Sequence, residues 1–337
     1  MNIIRRFVLR VVERFILHVV LIGCGVFTAT PVVFAEPTAE QFASAVVSIE
    51  STIVPDGRTV SMLGDKREGT GVLIDSQGLI VTVGYLLLEA AEITVRLYSG
   101  EQLAASVAAI DAQSGLGLLR LDDTDELPAI TPVKLGQSSV VAQDDRVIVL
   151  PAGGLDSAAS VRVHSIREFS APWEYLLNDA IYTMPPVRNF SGALLINRDA
   201  ELIGIGTLAL QDITESDSRD VPGNLFIPVD LLASRLGALI SGAAAKASRP
   251  WVGVMVDDAM VVTRALDAAP AMVAGVRAGD TILGLNDRHV TTRADLYTAL
   301  WMTSVTEELA LLVSREGTLL TLNVKPVQRA SWLVSPR

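Results

Sequence analysis

The sequence predicts a mainly β protein in two folded units, and three observations carry that prediction. Short apolar runs alternate with Gly, Asp and Ser turns from Ala43 to about Ser170 and on to Ile227. A single amphipathic helical stretch follows near residues 228–240, and then a small-residue segment of the kind that links domains. At 337 residues, 50% of them hydrophobic, the chain exceeds one ordinary domain and supplies enough apolar material for two cores.

The first 35 residues stand apart from both units. Arg5, Arg6, Arg10 and Arg14 precede an apolar run from Phe15 to Ala35, and about 20 residues suffice to cross a bilayer. Basic residues, an apolar stretch and small residues at a cut site read as an export signal. Val33-Phe34-Ala35 before Glu36 favours cleavage after Ala35. Leu21-Ile22-Gly23-Cys24 resembles a lipobox and offers lipidation at Cys24 instead, and a retained anchor is the third reading. All three place the folded part outside the cytoplasmic membrane, in the periplasm or cell envelope. They confine membrane attachment to this segment or to a lipid on Cys24.

The first unit, expected over 40–240, reads as strands at Val46–Ile49, Val72–Ile74, Ile80–Val83, Ile93–Leu97, Leu118–Leu121 and Val147–Leu150. Further strands come at Ala193–Ile196, Leu202–Ile205 and Leu225–Ile227, a rhythm that suits a β-barrel or sandwich. Val229, Leu232, Leu236 and Leu239 then recur at helical spacing. Residues 241–249 form the expected linker, 250–328 a second unit of strands with two helices, and 329–337 a tail.

Charge and composition exclude several functions. The net charge is −11, and loss of residues 1–35, with four Arg and one Glu, takes it to −14. So acidic a surface repels phosphate backbones, which argues against nucleic acid as a partner. Cys24 is the sole cysteine, so no intrachain disulfide forms. His18, His164 and His289 lie far apart without ligand spacing, and neither metal nor cofactor is expected.

The segment Gly69-Thr70-Gly71-Val72-Leu73-Ile74-Asp75 through Thr82 resembles the first barrel of the HtrA (Deg) family of trypsin-like serine proteases. Counting on to the family's catalytic histidine gives Tyr85, and Glu89-Ala90-Ala91-Glu92-Ile93 through Leu97 resembles the stretch the family places after that histidine. Asp111 through Arg120 is similar to the segment holding the third triad member, where this chain has Gly115. Asn189-Phe190-Ser191-Gly192-Ala193-Leu194 resembles the nucleophile loop, with Ser191 at the nucleophile and Asn189 where a glycine shapes the oxyanion hole. Pro185-Pro186 lies in a preceding loop about one residue shorter than the family's. His164 falls on a second-barrel strand, away from the cleft.

From Pro250 onward the chain resembles the PDZ domain that the same family carries. Trp251-Val252-Gly253-Val254 matches the loop that captures a peptide's terminal carboxylate, and Ala268 through Leu283 matches the family's Gly-Asp-x-Ile region. Arg293 to Leu300 matches the groove helix. The resemblance implies a trypsin-like double β-barrel followed by a PDZ domain, itself a partly open β-barrel with two helices. It implies Trp251, Val252, Gly253, Val254 and Leu296 as peptide-binding residues, and a trimer as the oligomer.

A serine hydroxyl is unreactive at neutral pH without a base held by a third group. With Tyr85 and Gly115 in the activating positions, Ser191 is expected to be vestigial. The expected function is a catalytically inactive HtrA-like protein that binds peptides or protein C termini through its PDZ domain. The alternative is a serine endopeptidase using Ser191 with a non-standard base.

Overall fold

The structure, a computed structural model, describes residues 43–124, 131–214, 220–242 and 249–335. The expectations for the export signal and Cys24 lie outside the described residues, as does most of the linker.

Six strands close the first barrel: β1 (Val46–Ile53), β2 (Lys66–Leu73), β3 (Leu79–Val83), β4 (Ala90–Arg96), β5 (Gln102–Ile110) and β6 (Leu116–Leu121), with a short helix α1 (Val60–Leu63) after β1. Their order around the barrel is β1-β2-β3-β6-β5-β4. All five residues of β3 are buried, which is why it reads as an unbroken apolar run rather than an alternating one. The second barrel holds β7 (Arg146–Leu150), β8 (Ala159–Ala171), β9 (Tyr175–Met184), β10 (Leu194–Ile196), β11 (Leu202–Leu210) and β12 (Gly223–Pro228) in the order β10-β11-β12-β9-β8-β7. Residues from both barrels, among them Ile49, Leu118, Leu194 and Ile205, join in one buried cluster, so the two barrels pack on a shared core.

Helix α2 (Val229–Ile240) buries Val229, Leu232 and Leu239 against the barrels. Its first-turn Asp230 accepts N–H bonds from Ser138 and Ser139, both at 2.9 Å. Its Arg235 grips Asp111 through two hydrogen bonds of 2.5 and 2.9 Å. These polar ties fix the helix across the barrel ends.

The second unit opens with β13 (Pro250–Trp251) and β14 (Val254–Val256), then β15 (Val262–Ala265), α3 (Pro270–Val273), β16 (Thr281–Leu285), β17 (Arg288–His289) and α4 (Arg293–Trp301). It closes with β18 (Leu309–Arg315), β19 (Thr318–Val324), β20 (Val327–Gln328) and α5 (Arg329–Trp332). The sheets run β17-β16-β18-β19, β14-β15 and β13-β20 around a core that includes Val256, Leu296, Tyr297 and Val313. Thr292 starts α4 with a reciprocal capping box: its hydroxyl accepts from Asp295 N–H, and the Asp295 carboxylate accepts from Thr292 N–H. Asp280 of the Gly-Asp-x-Ile segment is almost fully buried and pairs with Arg315 at 2.7 Å.

The stretch expected to be a tail is packed at its start. Trp332 of α5 lies 4.9 Å from the Trp251 ring, donates to the Asp267 carbonyl at 3.0 Å, and has the first barrel's Arg58 guanidinium 5.2 Å above it. Val334 N–H donates to the buried Glu89 carboxylate at 2.8 Å, which also takes the N–H groups of Arg58 and Thr59. The second unit is thereby tied to the first barrel.

Candidate functional site

The residues singled out by spacing come together at the barrel junction. Tyr85 sits in the 3-10 turn Gly84–Leu86 directly after β3, and its carbonyl is held at 2.6 Å by Arg67, a buried guanidinium that also binds Leu88 O and Thr59 Oγ1. Ser191 lies in the loop between β9 and β10, where its carbonyl accepts the Thr70 N–H at 2.8 Å. The Thr70 hydroxyl in turn accepts the Ala152 N–H, so the Gly-Thr-Gly strand stitches the serine loop to both barrels. Across the cleft Tyr85 Oη and Ser191 Oγ are 2.7 Å apart, a hydrogen bond in which each hydroxyl can donate.

Gly115 is close to this pair, with its carbonyl accepting the Gly84 N–H at 2.7 Å. The space a side chain at 115 would enter holds the Tyr175 ring, whose hydroxyl donates to Ser114 O at 2.7 Å. The nearby Asp111 carboxylate is committed to Arg235 and to the Ser114 hydroxyl. Among the described residues the hydrogen-bond partner of the Ser191 hydroxyl is Tyr85. His164 lies on β8 at a register shift, and His289 is exposed on β17 of the second unit.

The loop before Ser191 is pinned by Asn224, a fully buried side chain that accepts from Val187 N–H at 2.6 Å and donates to Val187 O at 3.2 Å. Asn189 keeps an ordinary negative φ, so the left-handed conformation that asparagine tolerates is not used at this position.

The second cluster is the loop from Trp251 to Val254. Gly253 takes φ +79, and a Cβ there would lie 2.3 Å from Ala269 Cβ, so only glycine fits. The N–H groups of Val252, Gly253 and Val254 converge on one carboxylate, that of Glu174, at 3.2, 2.6 and 3.1 Å. Leu296 is buried from α4. Trp251 departs from the expectation: its side chain packs away with Leu266, Ala269 and Trp332. It braces the loop from behind. Glu174, at the turn between β8 and β9, was invisible to sequence reasoning, since no motif marks a carboxylate 79 positions before the loop it fills.

Comparison with known proteins agrees with this geometry. A trypsin-like peptidase domain model matches residues 69–205, and a PDZ domain model matches 252–325. The mitochondrial serine protease HTRA2 of Bos taurus is 26% identical over 327 residues, covering 87% of this chain and 67% of that protein. A probable periplasmic serine endoprotease, DegP-like, of Pseudomonas fluorescens is 28% identical over 244 residues, covering 68% of this chain and 49% of that one. The chain thus spans about half to two thirds of the length of the curated relatives it matches. Among solved structures, the HtrA-type protease AlgW with a decapeptide superposes with a TM-score of 0.51 at 20% identity, covering 89% of this chain and 98% of that one. The serine endoprotease from Yersinia pestis gives 0.51 at 19%, covering 86% and 97%. The fold and its sites define the class as a trypsin-like peptidase domain followed by a PDZ domain. Within that class the chain is similar to serine proteases of the HtrA (Deg) type, to which these relatives and solved neighbours belong.

Proposed function

We propose that the protein is an HtrA-type pseudoprotease that binds protein C termini through its PDZ domain in the cell envelope. The observation that carries the reading is the bond between Tyr85 Oη and Ser191 Oγ. Attack by serine needs a neighbour that accepts its proton near neutral pH. Burial holds the Tyr85 phenol above its ordinary value of 10, against the lowering pull of its bond to Ser191. A phenol that stays protonated has no basic lone pair to offer as an imidazole does. Loss of the histidine alone costs about 10⁶-fold in kcat in subtilisin, so a serine lacking both partners has no useful rate.

Binding takes the place of chemistry here. Three converging N–H groups form a nest for a carboxylate, and strand β14 with helix α4 frames the groove beside it, the arrangement by which a peptide adds as a strand. Placement in the periplasm rests on the N-terminal segment and on relatives described as periplasmic, such as DegP of Salmonella typhimurium, 25% identical over 273 residues.

A fluorophosphonate serine probe tests the catalytic half. No labelling of Ser191 is expected in the full chain. Labelling that disappears in Ser191→Ala would instead establish a working hydrolase with another base.

A further inference from the structure

The groove that should receive a peptide is filled by the protein itself. The turn after β8 brings Glu174, at φ +59 and 7% exposed, into the loop of Val252, Gly253 and Val254. The contact extends along the groove as a strand would. Pro172 O accepts the Val256 N–H at 3.1 Å, so the N–H groups of residues 254 and 256, alternate positions of β14, both point at the hairpin. From the helix side, Tyr297 Oη donates to Ala171 O at 2.7 Å and Arg293 Nη2 to Ser170 O at 2.9 Å. Leu176 adds an apolar contact to the second unit's core.

Chain direction matters to the comparison with a ligand. From Ser170 to Glu174 the hairpin runs towards the loop and delivers an acidic group there, as a peptide would deliver its terminus. We propose that the Glu174 side chain is an intramolecular substitute for a peptide's terminal carboxylate, so that a C terminus enters the groove only by displacing the β8–β9 turn. This rests on the reading of the second unit as a C-terminus binder. It adds that the site is closed at rest, and that the second barrel supplies the competitor.

The chemistry constrains the displacing ligand. It must carry a free carboxylate to satisfy three N–H groups that Glu174 vacates, since buried donors left unpaired are costly. It must also offer an extended backbone to replace Pro172 O on Val256. An amidated peptide meets the second condition and fails the first.

The test is capture by the full chain of a synthetic decapeptide pool, randomised at its last three positions, with a free C-terminal carboxylate or with an amidated terminus. Wild type, Glu174→Ala and Glu174→Gln are compared, with thermal melts to confirm folding. Affinity for the free-carboxylate pool is expected to rise at least tenfold in Glu174→Ala. The Gln variant, which keeps the side chain's size and an acceptor oxygen, is expected to fall between, and amidated peptides are expected to be rejected by all three. Equal binding by wild type and both variants would overturn the occlusion while leaving the C-terminus reading intact. Absence of binding by any form, with all three folded, would overturn the binding reading and the occlusion with it.

Discussion

The Tyr175 ring occupies the space that a side chain at Gly115 would need: a Cβ on Gly115 would lie 2.7 Å from Tyr175 Oη and 3.0 Å from its ring carbons. The space beside Gly115 is thus filled from the second barrel. Gly115 also sits at φ +78, where side chains are strained. Gly115→Asp is therefore expected to destabilise the protein by about 2–4 kcal/mol, combining about 1–2 for backbone strain with overpacking against Tyr175. Chemical denaturation measures it. Unchanged stability would mean that Tyr175 yields freely and that the position is open.

Glu174 makes stability depend on pH. Burial lifts its carboxyl from the ordinary 4.5 to about 7, against the pull of the three N–H donors and of Arg329 on α5. Tyr297 of α4 interacts with it, with Arg293 next to Tyr297, and Arg329 interacts with both Glu174 and Glu89 of the first barrel. With the folded value above the unfolded one, the folded state holds the proton more tightly. The contribution is complete below about pH 4.5 and is lost as pH rises to about 7, by at most about 1.4 kcal/mol per unit. The melting temperature of wild type minus that of Glu174→Gln should fall across that window. A difference that grows with pH would mean the ionised form is the one the loop stabilises.

Asp111 and Arg235 form a pair whose loss should be felt. Asp111 is 4% exposed, and Arg235→Ala would leave its carboxylate buried with only the neutral donors of Gln113 and Ser114. The cost should be about 2–4 kcal/mol, somewhat below that of a fully buried pair because Arg235 keeps 24% of its side-chain exposure. Denaturant midpoints check this, and a loss under about 0.5 kcal/mol would class the pair with surface ion pairs.

Trp332 joins the two units from the end of the chain. Removing its ring takes away the contact with Trp251, the bond to Asp267 and the seat of Arg58. Trp332→Ala should cost about 3–5 kcal/mol in the second unit and loosen its tie to the first barrel. Faster hydrogen exchange at Trp251 to Val254 would report it. Unaltered exchange would show that the loop stands without this brace.

Much of the barrel was legible because strands that are fully buried, such as β3, or buried at all but one residue, such as β6, are largely apolar runs between turn residues. Strand β5 was not, since only one of its nine residues is buried and no alternation survives. The long β8–β9 hairpin was not read as a pair either, because β8 has only three buried positions among thirteen and shifts register twice. That hairpin carries both residues that spacing alone could not find, Tyr175 beside Gly115 and Glu174 in the PDZ loop. Tyr85, Gly115 and Ser191 were singled out by counting along motif segments, and of these Tyr85 and Ser191 meet in a hydrogen bond. Partners supplied by a different element are set by tertiary packing, which local pattern does not encode.

Hydrolysis of fluorescent casein by the purified full chain tests most directly whether the Ser191 hydroxyl lacks a proton acceptor. Wild type and Ser191→Ala are predicted to give the same background rate from about pH 6 to about pH 9, the range in which an imidazole base would work. Cleavage by wild type that Ser191→Ala abolishes would contradict the absence of a base.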